Sequence, residues 1–278
     1  MTASSIAGLP SALERFEEIE RSLAGREPAL FLDYDGTLTP IVRDPAEATL
    51  PEETREAIRR LRDVVAVAVI SGRDLDDVRA MVEVDGIAYA GSHGFDILDP
   101  SGERHARGEE HVPALDEAQE RLHRLLPSLP GLWIERKRFA VALHFREADP
   151  DRVGPIEAAV DRALEGVEGL RKTGGKKIFE LRPDMEWDKG RALLWLLEVL
   201  GLDRDDVVPF YLGDDLTDED AFEAIEEEGV GIVVQGEDRE RATRARYALA
   251  DPDAVRRFLE RIARERSDEG GADTEGGG

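Results

Sequence analysis

An α/β fold with a parallel, Rossmann-like sheet and a smaller α/β unit inserted into it is predicted by three observations. Three apolar runs each end abruptly in polar residues. Ala29-Leu30-Phe31-Leu32 leads into Asp33-Tyr34-Asp35-Gly36-Thr37-Leu38, residues 64–70 lead into Ser71-Gly72-Arg73, and residues 207–212 lead into Gly213-Asp214-Asp215-Leu216-Thr217-Asp218. Helical periods accompany these runs, as central parallel strands covered on both faces require. The stretch from Ser71 to Lys189 is far longer than a crossover connection needs, so it holds a unit of its own. The expected division is a discontinuous core at 1–105 and 186–265, an inserted unit at 106–185, and a disordered Gly- and acid-rich tail at 266–278.

Taken in order, the chain opens with an amphipathic helix carrying Leu13, Phe16, Ile19 and Leu23 on one side. Residues 51–63 form a helix with Ile58 and Leu61 inward, and Asp74 is placed to cap a helix running to Glu83. Residues 87–90 and 231–234 are candidate short strands. Inside the insertion, residues 131–146 read as two strands, residues 150–165 as a helix, and residues 171–182 as a hairpin turning at Gly174-Gly175. Residues 189–200 carry Ala192, Leu193, Leu196, Leu197 and Leu200 at helical spacing. Residues 217–228 open with acids, which suit the positive end of a helix dipole. Lys189 is the opposite case: a cation in a first helical turn works against the dipole, so something else requires it there.

Composition excludes several function classes. The 37 basic and 62 acidic residues leave a net charge of −25, a field that repels nucleic acid and anionic membranes. It also repels a phosphate ester unless cations and a metal gather where the ester binds. Five of the basic residues are lysines, which with this acidity suggests a GC-rich genome and a salt-rich cytoplasm. The absence of cysteine excludes disulfides, thiolate zinc sites and a cysteine nucleophile. No run approaches a membrane helix, and the N-terminal residues lack the basic start and apolar centre of a secretory signal. A cytoplasmic location is expected.

In an open α/β sheet, ligands bind beyond the carboxyl ends of the strands, so the three polar clusters can share one crevice. Paired acids such as Asp33 and Asp35 after a buried strand can bind a divalent cation and supply a nucleophile and a proton donor. A calcium loop would need Gly where Leu38 stands. Asp214 and Asp215 add hard oxygen ligands for Mg²⁺. Asp218, Glu219 and Asp220 admit two readings, support of the metal site or capping of the next helix. Ser71 offers a hydroxyl, Gly72 a close backbone approach, and Lys189 a cation for phosphoryl oxygens.

The order D-x-D-G-T, hydrophobic-S-G-R, lone Lys, G-D-D-x-T-D resembles the haloacid dehalogenase superfamily of phosphatases, from about Pro28 to Phe258. The resemblance implies Asp33 as nucleophile and Asp35 as the acid, then base, of a two-step hydrolysis. It implies Ser71, Gly72 and Lys189 on the phosphate. Mg²⁺ would be held by Asp33, the Asp35 carbonyl and Asp214, with Asp215 and Asp218 supporting. Finer details are similar to the trehalose-6-phosphate phosphatases: Asp-Tyr-Asp-Gly-Thr-Leu at 33–38, Glu135-Arg136-Lys137, His144-Phe145-Arg146, and the segments 175–183 and 213–222. Gly91-Ser92-His93-Gly94 departs from the branch by Ser in place of Asn. In that branch the insertion is a C2-type cap that closes over the site. Glu135, Lys137 and Glu180 would contact trehalose hydroxyls by charge-assisted hydrogen bonds, with Arg73, His93 and Arg146 as further candidates.

Those cap residues could equally form a solvated sheet face, and Lys176 and Lys177 could be surface charges. The resemblance thus implies hydrolysis of trehalose 6-phosphate, functionally paired with a trehalose-6-phosphate synthase. The alternatives are hydrolysis of another sugar phosphate (sucrose phosphate, or a glucosyl or mannosyl phosphoglycerate) and a catalytically silent sugar-phosphate binder. A mutase is disfavoured by the short span between Asp35 and Ile70, which leaves little room for the cap such enzymes carry.

Overall fold

The structure, a computed structural model, describes residues 4–42, 47–175, 177–236 and 238–272. The chain divides into two compact units, Met1–His105 with Asp188–Gly278, and Ala106–Trp187. Its strands are β1 (Ser4–Ser5), β2 (Glu27–Asp33), β3 (Ala66–Ile70), β4 (Ala88–Gly91), β5 (Asp96–Leu98), β6 (Arg104–Ala106), β7 (Trp133–Lys137), β8 (Ala140–His144), β9 (Leu170–Gly175), β10 (Ile178–Pro183), β11 (Val207–Gly213), β12 (Val230–Val234), β13 (Ala242–Thr243) and β14 (Tyr247–Leu249). The helices are α1 (Phe16–Leu23), α2 (Glu52–Arg62), α3 (Leu75–Val82), α4 (Val112–Leu125), α5 (Val153–Leu164), α6 (Lys189–Val199), α7 (Glu219–Ala224) and α8 (Pro252–Ala272).

The first unit is built on a sheet of order β14-β12-β11-β2-β3-β4-β5-β6. Neighbours from β14 to β4 pair in parallel, and β5 runs antiparallel to β4. Both faces are covered, which is why the central strands read as unbroken apolar runs. Leu30 and Leu32 of β2 join a core with Phe16, Ile58, Val78 and Phe258, from α1, α2, α3 and α8. Ala29 and Phe31, pointing the other way, pack with Leu193, Leu196 and Phe222 of α6 and α7. The register is what positions the site. Asp33 lies level with Ile70, and Leu32 with Leu212. The polar residues after β2, β3 and β11 therefore leave the same edge of three adjacent strands.

The second unit has a four-stranded antiparallel sheet of order β7-β8-β10-β9. One face carries Val141, Leu143 and Leu181, packed with Leu115 and Leu122 of α4 and Ile156 and Val160 of α5. Side chains alternate along strands, so the other face carries Trp133, Glu135 and Lys137 of β7, Ala140, Ala142 and His144 of β8, and Glu180 and Arg182 of β10.

Several expectations are corrected. The tail expected to be disordered from 266 is helical through Ala272, where Ser267 Oγ donates to the Ala263 carbonyl at 2.7 Å; residues 273–278 lie outside the described residues. The helix expected over 217–228 is shorter. A single 3₁₀ turn, Leu216–Asp218, precedes α7, because Asp215 and Asp218 cap that turn reciprocally. Asp74 stands at the N-cap of α3 without a capping bond, and its carboxylate accepts from Ser92 Oγ instead. Gly174 and Gly175 end β9, with Gly175 opposite Ile178, so the β9–β10 turn falls two residues later, with Lys177 at φ +69°; Lys176 lies outside the described residues. No helix among the described residues is long and apolar enough to cross a membrane.

Candidate active site

Asp33 closes β2 with only 5% of its surface exposed. The chain then makes a tight turn in which the Leu38 and Thr39 amides both donate to the Tyr34 carbonyl. Tyr34 anchors the turn from below, its buried hydroxyl donating to the Ala48 carbonyl at 2.8 Å, and burial pushes that phenol up to about 12. Gly36 is required twice over. Its φ is +88°, and a Cβ there would lie 2.2 Å from Asp214 Oδ2. The turn after β2 and the acid after β11 thus fit only with glycine between them.

Lys189 explains its own awkward place at the start of α6. Its buried ammonium donates to Asp33 Oδ1 at 2.7 Å and to Asp218 Oδ1 at 2.6 Å. Asp218 is fully engaged. Oδ1 also accepts from the buried Tyr211 hydroxyl at 2.7 Å, and Oδ2 accepts from the amides of Asp214 and Asp215 at 2.9 and 2.8 Å. One carboxylate therefore fixes both the lysine and the backbone that presents Asp214. Asp215 is exposed, and its side chain accepts from the Leu216 amide at 2.7 Å. Arg241 adds a hold that sequence reasoning missed, donating to the Asp214 carbonyl at 2.9 Å.

Asp33, Asp214 and Asp218 each bring a carboxylate oxygen within 4.8 Å of the others. Burial pushes Asp33 well above the usual carboxylate range, with Asp218 and Asp214 adding to it and Lys189 opposing. Burial, then Asp218, push Asp214 up to about 7. For Lys189, burial acts to lower the ammonium, but Asp218 and Asp33 outweigh it and hold it well above its ordinary value. Three carboxylates face one ammonium; Asp33, Asp218 and Lys189 are buried and Asp214 is half-buried. That surplus of negative charge on hard oxygen donors fits a divalent cation. A second group, Asp99, Glu103 and His105, also brings donors together, but it includes none of the residues singled out from sequence.

Asp35 turns to Arg73, which grips it with two bonds, Nε to Oδ2 at 2.7 Å and Nη2 to Oδ1 at 2.6 Å. Ser71 is buried after β3. Its Oγ accepts from the Arg73 amide at 3.1 Å and its carbonyl from the His93 amide at 2.8 Å. The His93 imidazole occupies the space over Gly72, within 2.8 Å of where a Cβ would stand. Ser92 and His93 both adopt left-handed backbone, at φ +50° and +57°. Such conformations are costly for residues with side chains and tend to persist at functional sites. Asn tolerates this region better than Ser, so Ser92 stands at the less favourable choice.

Within the second unit, the polar sheet face holds two groups of paired charges. His144 Nε2 lies 2.8 Å from Glu135 Oε2, and Lys137 Nζ donates to Glu180 Oε1 at 3.4 Å. Arg182 binds the same Glu180, which is nearly buried at 6%. Arg146 is exposed in the turn after β8 and joins no hydrogen bond or ion pair among the described residues. Arg182 is a neighbour of Glu180 that the alternation of β10 could have revealed, while His144, noted in its motif, is brought beside Glu135 by the β7–β8 register. Two surface cavities of about 740 and 750 Å³ lie elsewhere on the first unit, and neither is lined by a residue of these clusters.

These geometries can be set beside known proteins. A family model described as trehalose-phosphatase matches residues 31–253. A trehalose-phosphate phosphatase of Mycobacterium tuberculosis is 46% identical over 261 residues, 92% of this chain and 66% of that protein. An uncharacterized glycosyl hydrolase of the same species is 47% identical over 94% of this chain, but over only 20% of its own length. The chain thus spans between about a fifth and two thirds of these curated relatives. Among solved structures, a trehalose-6-phosphate phosphatase related protein superposes with a TM-score of 0.74 at 27% identity, covering 87% of this chain and 99% of that one. The matched span runs from β2 to the start of α8, so it takes in both the carboxylate–lysine cluster and the inserted sheet. The chain belongs to the trehalose-phosphatase family.

Proposed function

We propose that this chain is a Mg²⁺-dependent phosphatase that hydrolyses trehalose 6-phosphate to trehalose and inorganic phosphate. The observation that carries the reading is the buried Lys189 ammonium, 2.7 Å from Asp33 Oδ1 in a pocket that Asp214 and Asp218 make strongly acidic. Such a pocket suits a phosphoryl group and its metal, and family membership supplies the substrate class.

In the first step an Asp33 oxygen attacks phosphorus while the bond from phosphorus to the sugar oxygen breaks. Asp35 gives its proton to the departing oxygen. In the second, Asp35 takes a proton from water as the water oxygen attacks the aspartyl phosphate, releasing phosphate and restoring Asp33. Asp35 must exchange its grip on Arg73 for the leaving oxygen, so Arg73 is free to meet the phosphate or sugar as Asp35 turns. Lys189 and Ser71 neutralise and orient the phosphoryl oxygens. Asp33, the Asp35 carbonyl and Asp214 would hold Mg²⁺, which when bound withdraws charge from the phosphoryl oxygens and favours ionised Asp33. Asp218 keeps Lys189 and Asp214 in place.

Glu135, Lys137 and Glu180 read the sugar hydroxyls. His144 and Arg182, which bond to these carboxylates, hold them in position. Phosphate release from a panel of sugar phosphates, with Mg²⁺ and with EDTA, tests the whole. Metal-dependent preference for trehalose 6-phosphate is expected. Preference for another sugar phosphate would retain Asp33 and overturn the substrate, and no release from any would indicate a silent binder.

A further inference from the structure

Large aromatic side chains are almost all covered in this protein. The exposed large apolar side chains among the described residues are Ile41, Leu125, Leu194, Leu216 and Trp133, so only one is aromatic. Trp133 opens β7, the edge strand of the inserted sheet, with 57% of its surface exposed. It lies directly opposite His144 in the β7–β8 register. The two rings stack with centroids 4.8 Å apart and planes 21° apart. One face of the indole is therefore taken by His144, whose Nε2 is in turn 2.8 Å from Glu135. The opposite face of the ring is left to water.

We propose that this outer face of Trp133 is a stacking platform for a pyranose ring of the substrate. The inference rests on reading the inserted sheet as the sugar-binding element, and it adds a residue that determines specificity. A hexopyranose has a flat patch of C–H bonds bordered by hydroxyls. The sheet offers the matching pair of surfaces, an aromatic plane and, on the same face of the same strand, a carboxylate at Glu135 and an ammonium at Lys137. Consecutive same-face residues of a strand are about 7 Å apart, so a ring seated on the indole can present its edge hydroxyls to Glu135. The His144 stack and the Glu135 bond fix the angle of the platform before ligand arrives. A protein partner would use an exposed Trp as well, but it would also have to cover the adjoining charged network. Charged residues are depleted from the centres of protein interfaces, so the surroundings favour a sugar.

The test compares Trp133→Ala, Trp133→Leu and Trp133→Phe in the full chain. Alanine removes the platform, leucine keeps apolar bulk without a flat face, and phenylalanine keeps a smaller flat face. The KM for trehalose 6-phosphate should rise about tenfold in the alanine and leucine variants, with kcat changed less than twofold. The phenylalanine variant should recover most of the loss. Acetyl phosphate, which has no ring to stack, should be turned over with unchanged constants, a split that general damage to the fold would not give. A twofold or smaller change in KM for trehalose 6-phosphate, recovery by leucine, or equal losses on both substrates would overturn the platform.

Calorimetric binding of trehalose itself, in EDTA, separates this inference from the phosphatase reading. Weaker binding to the alanine variant than to the natural chain upholds the platform even if trehalose 6-phosphate is not hydrolysed. Equal binding to the two, or binding to neither, overturns it even if trehalose 6-phosphate is hydrolysed.

Discussion

Replacing Lys189 by methionine removes the one ammonium that faces Asp33 and Asp218 while keeping most of the side-chain volume. Two charge-assisted hydrogen bonds, at 2.7 and 2.6 Å, are lost. Each contributes roughly 1.5–3 kcal/mol, and breaking a buried ion pair from one side typically costs about 3–5 kcal/mol. Against this, taking a cation from the first turn of α6 returns roughly 0.5 kcal/mol of dipole repulsion. The metal-free variant should therefore be about 3–4 kcal/mol less stable at pH 8, and melt on the order of 10 °C lower.

The loss should also depend on pH. Lys189 is held above its ordinary value, so its stabilising effect is complete below about pH 10 and constant from pH 5 to 8. Asp33 is an acid held above its ordinary value, and losing Lys189 removes what opposes that shift. The folded variant then binds a proton where the unfolded chain does not, so its stability falls as pH rises between about pH 4 and its raised pKa. Melting the two proteins in EDTA at pH 5 and pH 8 is the assay. The gap should be clearly larger at pH 8. Equal gaps at the two pH values, or a loss below about 1 kcal/mol at pH 8, would refute the charge balance drawn for this pocket.

Asp33→Asn should abolish turnover and leave the metal-free protein at least as stable, because it removes one of three carboxylates facing a single ammonium; phosphate release above a hundredth of the natural rate would contradict the nucleophile assignment. Asp214, pushed up to about 7, binds a proton in the folded state that the unfolded chain releases at about 4, so metal-free stability falls as pH rises through that window. A cation must displace that proton below pH 7, so the rise in melting temperature on adding Mg²⁺ should be larger at pH 8 than at pH 5.5, and an equal rise would remove Asp214 from the metal site. Glu135→Ala should reduce turnover of trehalose 6-phosphate far more than turnover of a small aryl phosphate; equal reduction would remove Glu135 from the sugar site.

What the sequence revealed about the core follows from burial. A strand covered on both faces must be apolar until it emerges, so β2, β3 and β11 announced their ends, and with them Asp33, Ser71 and Asp214. The polar face of the inserted sheet gives no comparable signal. Glu135 and Lys137 sit in a charged run with Arg136, and Glu180 alternates with Phe179 and Leu181, both as a solvated face would, and only pairing across strands distinguishes them. His144 next to Glu135 depends on the β7–β8 register, which no local pattern encodes, whereas Arg182 and Glu180 are same-face neighbours on β10. Arg146 shows the converse: its motif placed it with His144, yet the strand ends between them. Asp218 had two sequence readings, support of the metal or a cap; it caps the 3₁₀ turn with Asp215, and its hold on Lys189 was in neither.

Lys189 shows why a violated local rule can be more informative than a satisfied one. A lysine late in α6 would have fitted the dipole and carried no information. At the first position it works against the dipole and is also stripped of water, two penalties that local structure does not offset. Sequence alone offers it the phosphoryl oxygens of a ligand as partners; the structure also gives it anionic groups at the ends of other strands. The conflict at one residue thus pointed to a long-range anionic partner before any was located. Asp33 and Asp218 meet that requirement at 2.7 and 2.6 Å. One ammonium balances only one of the three carboxylates of Asp33, Asp214 and Asp218, and that surplus is what a divalent cation in the same pocket would offset.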